Sequence, residues 1–209
     1  MYLAQFFTVV IVHLLAVMSP GPDFVVVTRN SIIYSRKVGV YTSIGLAIGI
    51  AMHVTYCLFG IGLLISQSIL LFSIIKYLGA GYLIYIGYKS LRAKPQAEKV
   101  EEILKVEKEM SPLSAIRIGF LTNVLNPKVT LFMLALFTQV INPGTPRFIE
   151  SLYGIEMVAM TFMWFSLVSV FFSNPLIKAR ISKVQHHIER VTGAVLIILG
   201  IKVALASRK

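Results

Sequence analysis

Charge is what this sequence has least of. Only 14% of its 209 residues are Asp, Glu, Lys or Arg, where a soluble domain carries about a quarter. The shortage is uneven: no charged side chain occurs from Met1 to Pro22, between Lys37 and Lys76, or from Met157 to Ile177. Runs of that length would give a water-soluble protein broad apolar faces, whereas a helix crossing a bilayer needs roughly 20 mostly apolar residues. The mean hydropathy of +0.80 agrees. A soluble enzyme is excluded, and a polytopic membrane protein is expected. Acidic residues are scarcer than basic ones, 9 against 20. The basic residues punctuate apolar segments, so their excess reads as membrane topology and contact with anionic lipid, not as a nucleic-acid surface. Cysteine is almost absent. Cys57 stands alone inside an apolar run, so no intramolecular disulfide can form and the redox compartment is not legible. The first residues lack the basic start and the small-x-small cleavage site of a secretory signal, which predicts a retained first span.

Six spans can be drawn, at about 3–33, 38–65, 69–92, 113–141, 149–173 and 189–206. The first and fourth are long enough to contain internal breaks. The one sustained polar segment, 93–110, carries Glu101–Lys105 and Lys105–Glu109 pairs at helical spacing and reads as a solvated linker. Ser111-Pro112 reads as a cap and first-turn proline opening the fourth span. The expected organisation is a first three-helix unit over 1–92, a cytoplasmic linker over 93–112 and a second three-helix unit over 113–209. Lys and Arg gather on the odd-numbered connections: Arg29, Arg36 and Lys37; Lys89, Arg92, Lys94, Lys99, Lys105 and Lys108; Lys178, Arg180, Lys183 and Arg190. The even ones hold Lys76 and Arg147. By the positive-inside rule the odd connections face the cytoplasm and both termini face outward; Arg208 and Lys209 oppose this weakly.

A repeat lies in the chain. Setting Gly87 over Gly200 brings Leu83-Ile84 over Leu196-Ile197 and Lys89 over Lys202. The first and fourth spans are each interrupted by proline, at Ser19-Pro20-Gly21-Pro22-Asp23 and at Asn126-Pro127-Lys128. Because each half has an odd number of spans, the second must insert upside down relative to the first. Inverted repeats with paired broken helices are the pattern of secondary transporters, whose substrate site lies at the breaks. The predicted fold class is therefore an all-α membrane protein of six transmembrane helices in two inverted three-helix repeats.

Proline removes a backbone donor and frees a carbonyl one turn earlier, which lipid tolerates only where protein or a water-filled cavity satisfies it. Pro20, Pro22 and Pro127 are thus expected to face the interior, each break opening a half-helix N-terminus that favours an anion. Gly21 allows close backbone approach. Asp23 and Lys128 are the deepest charges, and an unpaired charge at mid-bilayer costs at least about 2.5–3.5 kcal/mol. Either Asp23 binds a proton or an ammonium group while Lys128 neutralises a carboxylate, or the two pair and hold the halves together. Asn123 and Asn126 could bind substrate or satisfy carbonyls freed at the break. His53 could be a proton-sensitive cavity group or a packed histidine, and Tyr56 and Trp164 could shape a pocket or simply pack. Glu156 reads as near-interfacial. Gly45, Gly49, Gly79, Gly81 and Gly87 read as helix-packing positions.

Three motifs carry a resemblance. Ser19-Pro20-Gly21-Pro22-Asp23-Phe24 follows His13-Leu14-Leu15-Ala16; Asn123-Val124-Leu125-Asn126-Pro127-Lys128 opens the second break; and Tyr77-Leu78-Gly79-Ala80-Gly81-Tyr82-Leu83 precedes Gly87-Tyr88. In this order and at this length they resemble the LysE/RhtB family of bacterial amino-acid exporters, and the Pro-Gly-Pro-Asp-Phe form is most similar to its homoserine/threonine type. The resemblance covers essentially the whole chain. It implies export of amino acids from the cytoplasm across the bacterial inner membrane, driven by the proton gradient, with no cofactor. The implied partners are a small amino acid, protons and membrane lipid. A homo-oligomer is compatible with the sequence, which sets no subunit number. The main rival is an exporter of another small solute or a metal cation, but metal sites want several converging carboxylates, thiols or imidazoles, and Asp23, His53 and Glu156 are scattered. An intramembrane enzyme would need a nucleophile with a base or a metal motif such as HExxH, and neither is present. A structural scaffold would explain the spans but not two matched breaks beside buried charges.

Overall fold

The computed structural model describes residues 2–19, 21–61, 110–139, 141 and 144–173, together with individual helical residues between 74 and 92 and between 190 and 205. Pro20 and residues 93–109 of the expected linker lie outside the described residues. All regular structure among the described residues is helical. Helix α1 spans Tyr2–Met18, α2 Pro22–Ile33, α3 Arg36–Tyr56 (continued by a π-helical turn, Cys57–Ile61), α4 Pro112–Val124, α5 Pro127–Gln139 and α6 Arg147–Phe172.

Two of these helices, α3 with the start of its π turn and α6, are long and apolar enough to cross a membrane unaided. The pairs α1–α2 and α4–α5 pass the same test jointly, bent by 57° and 59° at their breaks. Each bend has a local cause. Pro22 and Pro127 occupy first helical positions, where the missing N–H costs nothing but the preceding helix cannot continue. The start of α4 is built as the sequence predicts: Ser111 Oγ accepts the Ser114 N–H at 3.2 Å, with Pro112 next in line. The outer surface is studded with exposed Leu3, Ile11, Phe59, Leu113, Phe148 and Ile155. Water would oppose such a surface and lipid accepts it.

Side chains gather into two apolar clusters. One, around Val9, Val12, Ile50, Met133, Leu136 and Met157, packs α1 against α3, α5 and α6. The other, around Phe24, Val27, Leu46, Phe165 and Phe172, packs α2 against α3 and α6. The two breaks lie between them. Helices α3 and α4 approach almost to backbone contact because glycine faces backbone both ways: Gly45 lies against Ile116 and Phe120, and Gly119 against the Thr42 carbonyl. A side chain at either position would collide with main chain, which cannot swing aside. Gly49, read from sequence as another packing position, has a different neighbour. A Cβ there would fall 2.5 Å from Asn123 Oδ1, so this glycine makes room for a side chain at the break.

Among the individual helical residues described between 74 and 92 and between 190 and 205, Gly87 and Gly193 face each other's carbonyls and Gly200 faces the Ala80 carbonyl. A Cβ on Gly87 would meet Ile197 Cγ1, and one on Gly200 would meet Ile84 Cγ1, each at 2.7 Å.

Candidate functional site

The breaks bring Asp23 and Lys128 to the wall of one small cavity of about 40 Å³. Asp23, at the second position of α2, is nearly buried and accepts two amide hydrogen bonds: from Asn123 Nδ2 to Oδ2 at 2.7 Å and from Asn126 Nδ2 to Oδ1 at 3.1 Å. Both donors come from the opposite break, about a hundred residues away in sequence. Each carboxylate oxygen thus has a donor, the arrangement that makes a buried carboxylate tolerable. Its place in the first turn of α2 adds the favourable end of that helix's dipole.

Asn126 does a second job. Its Oδ1 accepts the Lys128 N–H at 3.0 Å and its backbone carbonyl accepts Thr130 N–H, so it caps α5. The sequence left open whether the two asparagines bind substrate or satisfy carbonyls freed by the break; in the structure their amides are committed to Asp23. Asn123 Oδ1 has no hydrogen-bond partner and no exposure. The Lys128 ammonium reaches back to α1, donating to the Ser19 carbonyl at 2.8 Å and the Ala16 carbonyl at 3.4 Å. These carbonyls lie at the C-terminal end of α1, where the helix dipole favours a cation. The two charges therefore occupy the complementary facing ends of the bent helix pair α1–α2.

Of the remaining sequence-predicted residues, Gly21 is the N-cap of α2 in extended backbone, and a Cβ there would meet Lys128 Nζ at an ordinary 3.6 Å. Sterics alone do not demand glycine at that position. His53 stands behind the cavity, its Nε2 3.3 Å from the Asn123 carbonyl and its Nδ1 2.6 Å from the Tyr56 hydroxyl. The pair buttresses α4 at the break. Trp164 is half-buried against the Phe24–Phe165 cluster and is not part of the cavity lining. Glu156, read as near-interfacial, lies in the third turn of α6 with both carboxylate oxygens buried and no hydrogen-bond partner. Cavity-lining residues that sequence reasoning passed over are His13, Thr161, Phe132 and Phe165. His13 carried a signal: it is a lone imidazole in an uncharged apolar run. Among the described residues no three His, Cys, Asp or Glu side chains gather closely enough to hold a metal ion.

A sequence model of the LysE type translocator family matches residues 14–207 of the chain. The chain belongs to this family. LysE type translocators are transporters, and the protein is not an enzyme. Curated relatives run along almost the whole length. The threonine efflux protein of Escherichia coli (strain K12) is 30% identical over 98% of this chain and 99% of its own. The uncharacterized membrane protein YrhP of Bacillus subtilis (strain 168) is 32% identical over 91% and 93%. The threonine efflux protein of Salmonella typhi is 29% identical over 98% and 99%. No solved structure matches the chain.

Proposed function

We propose that this translocator is a secondary transporter of the bacterial inner membrane that exports amino acids, threonine- and homoserine-like ones among them, in exchange for protons. The observation that carries this reading is the presence of opposite charges, one from each break, on the wall of a single cavity. A zwitterion matches that pair. Its carboxylate turns toward Lys128 and its ammonium toward Asp23, adding an opposite charge to the hydrogen bonds each already has. The efflux activity named for the threonine efflux relatives agrees with the direction of transport. Proton coupling follows from Asp23: an empty carrier with an ionised carboxylate at this depth resists reorientation, and protonation removes the obstacle. Pro20, Gly21, Pro22 and Pro127 shape the breaks, while Asn123 and Asn126 hold Asp23 in position. The test is efflux of a panel of labelled amino acids from cells with and without the protein. Faster efflux of small neutral amino acids, abolished by a protonophore, is expected. No difference across the panel would sink the reading.

The inverted-repeat arrangement is supported by the contacts between the third and sixth spans. In the register that sets Gly87 over Gly200, Ile84 falls over Ile197 and Ala80 over Gly193. The contact of Gly87 with Ile197 and that of Gly200 with Ile84 then exchange, as do Gly87–Gly193 and Gly200–Ala80. A two-fold axis between the spans produces that exchange. With the basic connections inside, both termini are external and the linker is cytoplasmic. A single cysteine introduced at Gln96, in a protein with Cys57 replaced, is expected to resist membrane-impermeant thiol reagents in intact cells and to react after lysis. Labelling in intact cells would reverse the orientation.

A further inference from the structure

The charged residues of the cavity account for the two groups every amino acid has in common; other lining residues bear on which amino acid enters. The same lining includes His13 and Thr161 together with the apolar Phe132, Phe165 and Ile50. His13 is 1% exposed, its Nδ1 has no hydrogen-bond partner, and its Nε2 reaches Thr161 Oγ1 only at 3.5 Å, the outer limit of a hydrogen bond. Thr161 is fully buried. A buried polar atom left unpaired is costly, and here the cost falls on the wall of a cavity, where a ligand could relieve it.

We propose that His13 and Thr161 form a side-chain subsite that reads a hydroxyl on the transported amino acid; this rests on the amino-acid export reading above. A hydroxyl both donates and accepts. It can therefore satisfy an imidazole nitrogen and a threonine hydroxyl together, whichever ring tautomer is present. His13 lies three residues before Ala16, whose carbonyl accepts from Lys128, so one face of α1 carries both the imidazole and an acceptor for the ammonium. Both groups line the same cavity, so one bound amino acid can meet them together. A charged side chain is disfavoured, because Asp23 and Lys128 are engaged by the zwitterion and the surrounding rings offer no counter-charge.

Valine is the isostere of threonine without the hydroxyl, which makes the pair a direct probe. The purified full-length protein in liposomes is assayed for counterflow of labelled threonine against unlabelled threonine or valine. Sites that hydrogen-bond a substrate hydroxyl discriminate strongly against analogues lacking it. Valine is therefore expected to compete at least about tenfold more weakly than threonine. Thr161→Val and His13→Leu should each reduce that preference about tenfold, and Thr161→Ser should restore it relative to Thr161→Val. The Thr161 pair decides the matter if His13→Leu gives no folded protein. Equal competition by valine and threonine in the unaltered protein overturns the subsite while leaving amino-acid export intact, as does an unchanged preference in Thr161→Val. Efflux of no amino acid from the broad panel removes the export reading itself, and the subsite with it.

Discussion

An Asp23→Asn protein is expected to fold and insert normally yet to lose efflux driven by a pH gradient by at least about a hundredfold, while keeping threonine-for-threonine exchange. Folding survives because the surroundings can adapt. Asp23 accepts from the amides of Asn123 and Asn126, and an asparagine at position 23 would turn one N–H₂ toward a neighbouring N–H₂. Asn123 Oδ1 has no partner, so a rotation of that amide converts the clash into a hydrogen bond at little cost. What the substitution removes is the change of charge. A permanently neutral side chain mimics the protonated carrier and cannot release a proton on the other side, so net coupled export stops and exchange of like for like continues. Reconstituted protein assayed with and without a pH gradient, alongside yield and thermal unfolding in detergent, separates these outcomes. Near-normal gradient-driven efflux from a well-folded Asp23→Asn protein would remove Asp23 from the coupling mechanism.

Much of the described architecture is legible in the sequence because lipid is a stern selector: a span must be apolar and must satisfy its own backbone. The apolar segments drawn from the sequence place α1–α2, α3, α4–α5 and α6 within a few residues of the structure, and Ser111-Pro112 marks the start of α4 by cap chemistry alone. The breaks are legible for the same reason. A proline beside a charge in an apolar run interrupts the helix, and the groups it frees must find partners inside the protein. What the sequence conceals is partnership across the breaks. Nothing local says that Asn123 and Asn126 turn their amides to Asp23, or that the flexible Lys128 side chain bridges back to the end of α1. Those contacts depend on how two bent spans cross. The His53–Tyr56 contact is local, at helical spacing, and could have been expected. His13 escaped because a single histidine in a span is ordinarily packing. Only the structure sets it beside Thr161 on the cavity wall.

Replacing Lys128 by Met is expected to weaken substrate binding at least about tenfold and to lower stability by about 1–3 kcal/mol, the cost of leaving buried acceptors unpaired. The Ser19 and Ala16 carbonyls that receive the ammonium would lose it, and the substrate carboxylate would lose its counter-charge. The two losses are separable. A purely structural pair between Asp23 and Lys128 predicts that exchanging the charges, Asp23→Lys with Lys128→Asp, restores both stability and transport. The surroundings of each charge argue the opposite. A lysine at position 23 would point an ammonium at the Asn126 amide donor, whose oxygen is already held by the backbone N–H at position 128, and a carboxylate at position 128 would face the carbonyl oxygens that end α1. Donors would then meet donors and acceptors would meet acceptors, while each charge would sit at the wrong end of a helix dipole. The exchanged protein should therefore be less stable than either single variant and inactive in counterflow. Threonine binding measured by the shift it causes in thermal unfolding, on the two single variants and the exchange, gives the comparison. Recovery of transport in the exchanged protein would show that the charges serve each other, and that the zwitterion is held elsewhere.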